Sequence, residues 1–340
     1  MQKQNDKPQN KNNEQLNGSL RPKTLEDYFF GGAIKNKLFS SLKIFLQAAR
    51  ERKEALDHVL FYGPPGLGKT TLAHILAQEM NVQIKITSGP AIERTGDLAS
   101  ILTNLEEGDI LFIDEIHRLN KAVEETMYPA MEDFCLDIIL GKGPSAQTIR
   151  LDLPRFTIVG ATTRAGLLSA PLRGRFGVTH RLDFFNKDDL TRIAKRSVGL
   201  LDLHVTPSAC EEIAKCCRGT PRIVNHLIKR VRDYSQVKKQ ENITSEIVRE
   251  ALKMLEVDDM GLNKIDQMYL DILIRKFQGG PVGLSTLCSA MAEDPGTLED
   301  VIEPFLLQKG LIKKTTQGRV AAIKAYEHLG VHFPNQGSIL

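Results

Sequence analysis

No stretch of the 340-residue chain approaches the roughly 18 consecutive apolar residues that a membrane-spanning helix needs, so nothing is expected to cross a bilayer. Cysteine is scarce as well. Cys135, Cys210, Cys216, Cys217 and Cys288 are odd in number and contain no Cys-x-x-Cys pair. That pattern argues against a disulfide framework or a zinc site, and a cytoplasmic setting is expected. An excess of one charge is also missing: 45 Lys and Arg stand against 42 Asp and Glu, a net of +3. Any attraction to nucleic acid must therefore be local. Residues 1–20, "MQKQNDKPQNKNNEQLNGSL", lack the apolar stretch of a secretory signal and read as a polar, disordered tail. What the chain does have is 41% hydrophobic residues, enough to bury the cores of two or three domains.

Three composition regimes follow the tail. Over 21–182, short apolar runs such as "HVLFYG", "DILFID" and "FTIVGAT" alternate with helical patterns, which predicts an α/β domain with a parallel sheet. Over 183–257, strand signals are absent and helix patterns recur, as in "PSACEEIAKCCR" and "TSEIVREALKML", predicting a small all-helical domain. Over 258–330, helical segments at 265–277, 284–292 and 296–309 lead into "LIKKTTQGRVAAI", two apolar pieces around a glycine turn. Three helices and a hairpin outline a winged helix. Residues 331–340 read as a C-terminal tail.

The chemistry begins at "GPPGLGKTT", residues 63–71, which places G-x-x-x-x-G-K-[ST] between a strand and a helix. In such a loop glycines let backbone N–H groups curl around phosphate oxygens. The helix N-terminus adds positive potential, Lys69 reaches the β- and γ-phosphates, and the Thr70 hydroxyl is suited to Mg²⁺. Forty-five residues after Lys69, "DILFIDE" ends a buried strand in Asp114 and Glu115. One carboxylate suits hydrated Mg²⁺ and the other an attacking water. Such pairs also arise as solvated strand caps, but the P-loop upstream favours chemistry. "FTIVGATTR" then puts the Thr162 and Thr163 hydroxyls at a third strand end, and "PLRGRFG" offers Arg173 and Arg175. Arg173 stands evenly between a solvated residue and a site group. Arg222 lies in the first turn of a helix begun by "RGTPRIVNHL", where the helix dipole disfavours a cation, so an anionic partner is expected.

Together "GPPGLGKTT", "SGPAIE", "GDILFIDEIHRLN", "YPAMEDF", "GATTRAG", "RGTPRIV" and "GGPVGLSTL" with "EDPGTLE" resemble the RuvB family of bacterial branch-migration motors, of the AAA+ class, from about Arg21 to Gly330. The resemblance implies an AAA+ P-loop domain, a helical lid and a winged helix, and an ATP- and Mg²⁺-dependent motor in DNA recombination and repair. It also implies a hexameric ring on duplex DNA at a Holliday junction held by a RuvA-like protein and resolved by a RuvC-like one. Carried onto this chain, it assigns nucleotide contacts to Leu20, Arg21, Gly63, Gly66, Gly68, Lys69, Thr70, Thr71, Glu132, Asp133, Phe134, Arg175, Phe185 and Arg222. Thr70 and, through water, Asp114 would hold the metal. Asp114 and Glu115 form the hydrolytic pair, Thr163 is sensor 1, Arg222 sensor 2, and Arg175 the finger reaching a neighbour's ATP. Lys314 and Arg319 of the wing would contact DNA. Between Pro304 and Tyr326 there are five basic residues and no acidic one, which independently favours phosphate contact there.

The chain departs from the family pattern in three places. "FFGGA" at Phe29–Ala33 replaces Ile-Gly-Gln, Phe185 replaces a tyrosine, and the wing turn "TTQGR" carries Gln317 in place of arginine. The apolar run in "DIILGKG" raises a separate expectation. Residues 134–140 and 147–153 read as two strands around "GKGPSA", with Phe134, Leu136, Ile138 and Leu140 on one face and Ile149, Leu151 and Leu153 on one face of the second. A lone hairpin is marginal in water, so that face needs a cover. The base is expected to join its own core. The tip residues Ile138, Ile139 and Leu140 are expected to meet a partner, which the resemblance identifies as the third domain of RuvA. An ATP-switched DNA loader remains the alternative to a motor. A small-molecule kinase is set aside by the helical lid, the finger arginine and the basic wing.

Overall fold

The computed structural model describes residues 20–29, 35–140 and 147–333, which divide into two compact units at Asp189 and Leu190. In the first unit, five parallel strands form one sheet: β1 (Val59–Tyr62), β2 (Ile84–Ser88), β3 (Ile110–Asp114), β6 (Thr157–Thr162) and β7 (Val178–Arg181), in the order β2-β3-β6-β1-β7. The central strands β1, β3 and β6 are buried along almost their whole length. Continuous apolar runs such as "ILFI" and "TIVGA" suit that position because helices cover both faces of a parallel sheet. The edge strands "IKITS" and "VTHR" are half exposed and polar, which blunts pairing with another chain.

Helices α1 (Lys35–Arg52), α2 (Lys69–Met80), α3 (Thr95–Leu102) and α4 (Lys121–Glu132) complete the layers. The Asn120 side chain caps α4 by accepting the Val123 N–H at 3.0 Å, and Val123, Met127, Ala130 and Met131 enter the core with Leu60, Leu111 and Ile158. His58, just before β1, donates from Nε2 to the Met131 carbonyl at 3.0 Å and accepts the Ile158 N–H at Nδ1 at 2.9 Å. Burial pushes its pKa down, so it is a neutral clamp between the start of β6 and the end of α4.

Between α4 and β6 the chain makes an antiparallel pair, β4 (Cys135–Leu140) and β5 (Gln147–Asp152), with Leu136 opposite Leu151 and Ile138 opposite Ile149. The expected hairpin is therefore present, with one correction. Phe134 is no strand residue. It takes a left-handed backbone (φ 53°) where the chain leaves α4, and its ring meets Phe156 edge-on at 5.7 Å. Phe134, Leu136 and Leu153 pack into the core, as expected of the base, whereas Ile149 and Leu151 are 48% and 37% exposed. The side chains of Ile138, Ile139 and Leu140, and the turn at 141–146, lie outside the described residues.

The second unit begins with helices, including Pro207–Lys215, Pro221–Val237 and Ser245–Met254. An all-helical segment was expected here; the structure adds a two-residue parallel pairing of β8 (His204–Val205) with β9 (Asn242–Ile243). Strands this short carry too little periodicity to be read from sequence. The winged helix follows, with helices Lys264–Asp271, Leu284–Met291 and Glu303–Gln308 and the wing strands β10 (Ile312–Thr315) and β11 (Gly318–Ala321). Val282 adds a third strand position by exchanging backbone hydrogen bonds with Arg319 at 2.9 and 2.8 Å. Arg218 joins the lid helices to the winged helix, pairing with buried Asp266 at 3.1 Å and lying over the Phe305 ring at 4.7 Å. No helix among the described residues is long and apolar enough to cross a membrane.

Candidate functional site

The loop between β1 and α2 owes its shape to glycine. Gly63, Gly66 and Gly68 have φ of 141°, 80° and 95°, which side chains rarely adopt. A Cβ at Gly63 would meet the Leu182 carbonyl oxygen at 2.3 Å, and one at Gly68 would meet the Tyr28 hydroxyl at 2.9 Å. Tyr28 is a residue the sequence analysis missed. Its buried hydroxyl donates to the Leu67 carbonyl at 2.7 Å, pinning the loop from outside. The adjoining segment is tied to α2, since the Leu25 N–H donates to Glu79 at 3.1 Å and Glu79 pairs with Arg50. Leu20 is buried and Arg21 exposed. Arg21 helps burial to lower the pKa of His74 on α2, so the two face each other. Phe30 to Ala33 lie outside the described residues.

Lys69 opens α2 and is 8% exposed, its ammonium donating to the carbonyls of Gly63 at 2.7 Å and Pro64 at 3.0 Å. Burial pushes its pKa down to about 8, against the opposing pull of Asp114 and Glu115. Thr70 and Thr71 follow in the first turn, half buried. Because β3, β6 and β1 are parallel neighbours, their C-terminal ends bring Asp114, Thr162 and Tyr62 to one edge of the sheet. Glu115 leaves β3 in a left-handed conformation (φ 49°) with its side chain 35% exposed.

A second missed residue links these ends. His117 Nε2 lies 3.4 Å from Glu115 Oε2, and its Nδ1 lies 2.8 Å from the hydroxyl of fully buried Thr162. That hydroxyl accepts the Arg164 N–H at 3.0 Å. Thr163, the expected sensor, is half buried beside it. The signal for His117 was its place two residues after Glu115; no motif flagged it.

The other expected nucleotide contacts gather elsewhere. Arg175 donates to Glu132 at 3.1 Å and to the Pro171 carbonyl at 2.9 Å, and lies over the Tyr128 ring at 4.1 Å. Its Nε is buried without a hydrogen-bond partner among the described residues. Glu132, Phe134 and Arg175 line a cavity of about 540 Å³ together with Asp57, His58 and Gly177. Asp57 and His58 precede β1 and Gly177 precedes β7, so this group occupies the N-terminal edge of the sheet, opposite the P-loop. Asp133 and Arg173 are exposed, and Phe185 is buried. Arg222, in the second unit, is exposed in the first turn of its helix.

On the wing, Lys314 and Arg319 face each other in register but are committed to acids. Fully buried Glu303 accepts from Arg319 Nε at 2.8 Å, from Lys314 at 2.7 Å and from the Tyr269 hydroxyl at 3.2 Å, and Glu299 pairs with Arg319 at 3.1 Å. Burial alone would raise the Glu303 pKa, yet hydrogen bonds from Arg319 and Lys314 hold it below its ordinary value. The Arg319 side chain is only 12% exposed, against 41% for Lys314. Lys313, opposite Val320, projects from the other face of the ribbon and is exposed, as is Gln317.

Three family models match the chain: the Holliday junction DNA helicase RuvB P-loop domain over 20–182, the RuvB AAA lid domain over 185–258 and the RuvB C-terminal winged helix domain over 259–330. Among solved structures, the chain is similar to the Thermotoga maritima RuvB Holliday junction branch migration motor, at 48% identity over 93% of this chain and 100% of that one, with a TM-score of 0.84. An alanine-to-serine mutant of Thermotoga maritima RuvB is also 48% identical, over 93% of this chain and 99% of that one, with a TM-score of 0.85.

A phosphate brought beside Lys69 should restore the charge that burial weakens, so ATP binding at pH 8.5 should take up more than about half a proton. Calorimetry in buffers of different ionisation enthalpy measures this uptake, and heats independent of buffer would refute it. On the wing, Arg319→Ala removes one of the two cations that hold buried Glu303, leaving Lys314 and Tyr269, and should destabilise the second unit by about 1.5–3 kcal/mol in urea unfolding. Lys313→Ala should leave stability unchanged but weaken duplex binding and reduce its salt slope by about 1.

Proposed function

The chain belongs to the RuvB family and is an ATP-driven motor for branch migration of Holliday junctions; we propose that its work is divided between two half-sites at opposite edges of one sheet. The loader alternative is not favoured, because the P-loop, lid and winged-helix segments each match a RuvB model. The observation that carries the division is the separation of Lys69 from Arg175. They lie at the two ends of β1, whose four residues span about 13 Å.

At the P-loop edge, Lys69 exchanges its carbonyl partners for the β- and γ-phosphates, cradled by backbone around Gly63, Gly66 and Gly68. Thr70 and Asp114 fit Mg²⁺, which takes one or two protein oxygens and draws its other ligands from phosphate and water. When bound, the ion neutralises charge on the phosphates. Thr71 adds a phosphate contact, Leu20, Arg21 and Phe185 contact the rest of the nucleotide, and Arg222 senses it from the lid of the same chain. Glu115 orients and deprotonates the water, and Thr163 reads the γ-phosphate. The three divisions assigned are 21–182 for the ATPase domain, 183–257 for the lid and 258–330 for the winged helix.

At the opposite edge, Arg175 with Glu132, Asp133 and Phe134 serves the nucleotide of an adjacent subunit in a hexameric ring. A buried guanidinium N–H without an acceptor among the described residues supports this, since such groups are rare unless another interaction satisfies them. The ring encircles duplex DNA at a junction held by a RuvA-like protein and resolved by a RuvC-like one. Phosphate contact falls to Lys314 and its outward neighbour Lys313, with Arg319 buttressing the wing. Ile149 and Leu151 are exposed on the hairpin, and we assign its residues Ile138, Ile139 and Leu140 to the RuvA-like partner. All five cysteines are free and buried, in keeping with a cytoplasmic protein.

Subunit mixing tests the division. An Arg175→Ala subunit keeps Lys69, and a Lys69→Ala neighbour supplies Arg175, so mixed rings should regain ATP turnover that each pure ring has lost, about 10³-fold or more. If verified mixed rings turn over no faster than pure ones, the finger does not act in trans. For the hairpin, Ile139→Asp should leave ATP binding intact and abolish stimulation by the junction-binding partner on a synthetic four-way junction. Unchanged stimulation would remove the tip from the partner interface.

A further inference from the structure

Glu115, His117 and Thr162 form a chain of close polar contacts across two neighbouring strand ends. The Thr162 hydroxyl oxygen accepts the Arg164 N–H at 3.0 Å and lies 2.8 Å from His117 Nδ1, to which its own hydrogen can be donated. A histidine accepting at Nδ1 carries its proton on Nε2. Nε2 lies 3.4 Å from Glu115 Oε2, within ion-pair distance of the carboxylate. The His117 side chain is 8% exposed and Thr162 is fully buried, so water competes little for either partner. The anchor is the backbone at the end of β6, and the target is the carboxylate after β3, its neighbour in the sheet.

We propose that His117 is a positioning residue for hydrolysis: held as its Nε2–H form by Thr162, it fixes the Glu115 carboxylate that activates water. This rests on the assignment of Glu115 as the hydrolytic base. Two features make positioning necessary here. Glu115 sits in a left-handed backbone conformation at the first residue beyond the strand, and its side chain is 35% exposed, so the sheet alone does not set its direction. The chain also couples that direction to Thr162, next to Thr163, so a shift at the end of β6 moves the base with it.

His117→Ala should lower kcat for ATP hydrolysis by about tenfold to a hundredfold, the usual scale for losing an orienting partner, with KM and nucleotide affinity within about twofold. His117→Gln, whose side-chain amide can again donate to Glu115, should recover part of kcat. Thr162→Val should give a similar loss, and the double variant should be little worse than either single one, because both cut one chain. Thermal unfolding and fluorescent ADP binding are measured on every variant, with Glu115→Gln alongside. A kcat within twofold of wild type in His117→Ala, while Glu115→Gln is inactive, overturns the positioning role alone. Sustained turnover in Glu115→Gln overturns the assignment of the base itself. Parallel losses of melting temperature, affinity and kcat in both His117→Ala and His117→Gln would mark His117 as a packing residue and also overturn the proposal.

Discussion

The nucleotide half-site depends on a lysine ammonium withdrawn from water. Lys69 is 8% exposed, and desolvation of that charge is only partly offset by two loop carbonyls and the carboxylates of Asp114 and Glu115. Keeping it there requires a loop whose carbonyls turn inward, hence the positive φ values of Gly63, Gly66 and Gly68. It also requires two acids at the end of the adjoining sheet, and a lash across the loop, supplied by Tyr28. Each element removes freedom from the loop before a phosphate arrives, so the Lys69 ammonium is the group left to change partners.

The parallel sheet sorts the remaining groups. Its C-terminal edge collects Lys69, Asp114, Glu115 and Thr163, while each crossover returns the chain to the opposite edge. Arg175 lies on such a return, between Thr163 and the start of β7, and so cannot reach the nucleotide held by its own loop without dismantling the crossover. That placement supports the proposed site completed by a second copy. The hairpin leaves the same edge as Arg175, after α4 and before β6, placing the surface assigned to the partner on the side of the sheet away from the bound phosphate.

Much of this was legible because the relevant signals are local. The P-loop, the apolar strands and the hairpin depend on spacing within a few residues, and the structure has each of them. Tyr28 was hidden because it touches Leu67 across 39 residues, and nothing near it in sequence marks an aromatic as a clamp. His117 was hidden for a related reason: it gains meaning only when β6 lies beside β3 and brings Thr162 within 2.8 Å. Phe134 was misassigned to a strand because period-2 counting sees side chains and not the left-handed turn that precedes β4.

The wing shows most clearly how distance along the chain misleads. Five basic residues without an acid between Pro304 and Tyr326 read as a strip of free positive charge. Glu303 ends one residue before that window and Glu299 four earlier still, and folding lays both against Lys314 and Arg319. Lys314 and Arg319 thus face two carboxylates within the domain, while exposed Lys313 projects from the other face of the ribbon. Gln317 in the turn removes a further charge from that face. Each remaining contact then carries a larger share of the salt-dependent affinity, because binding to duplex scales with the number of phosphates neutralised.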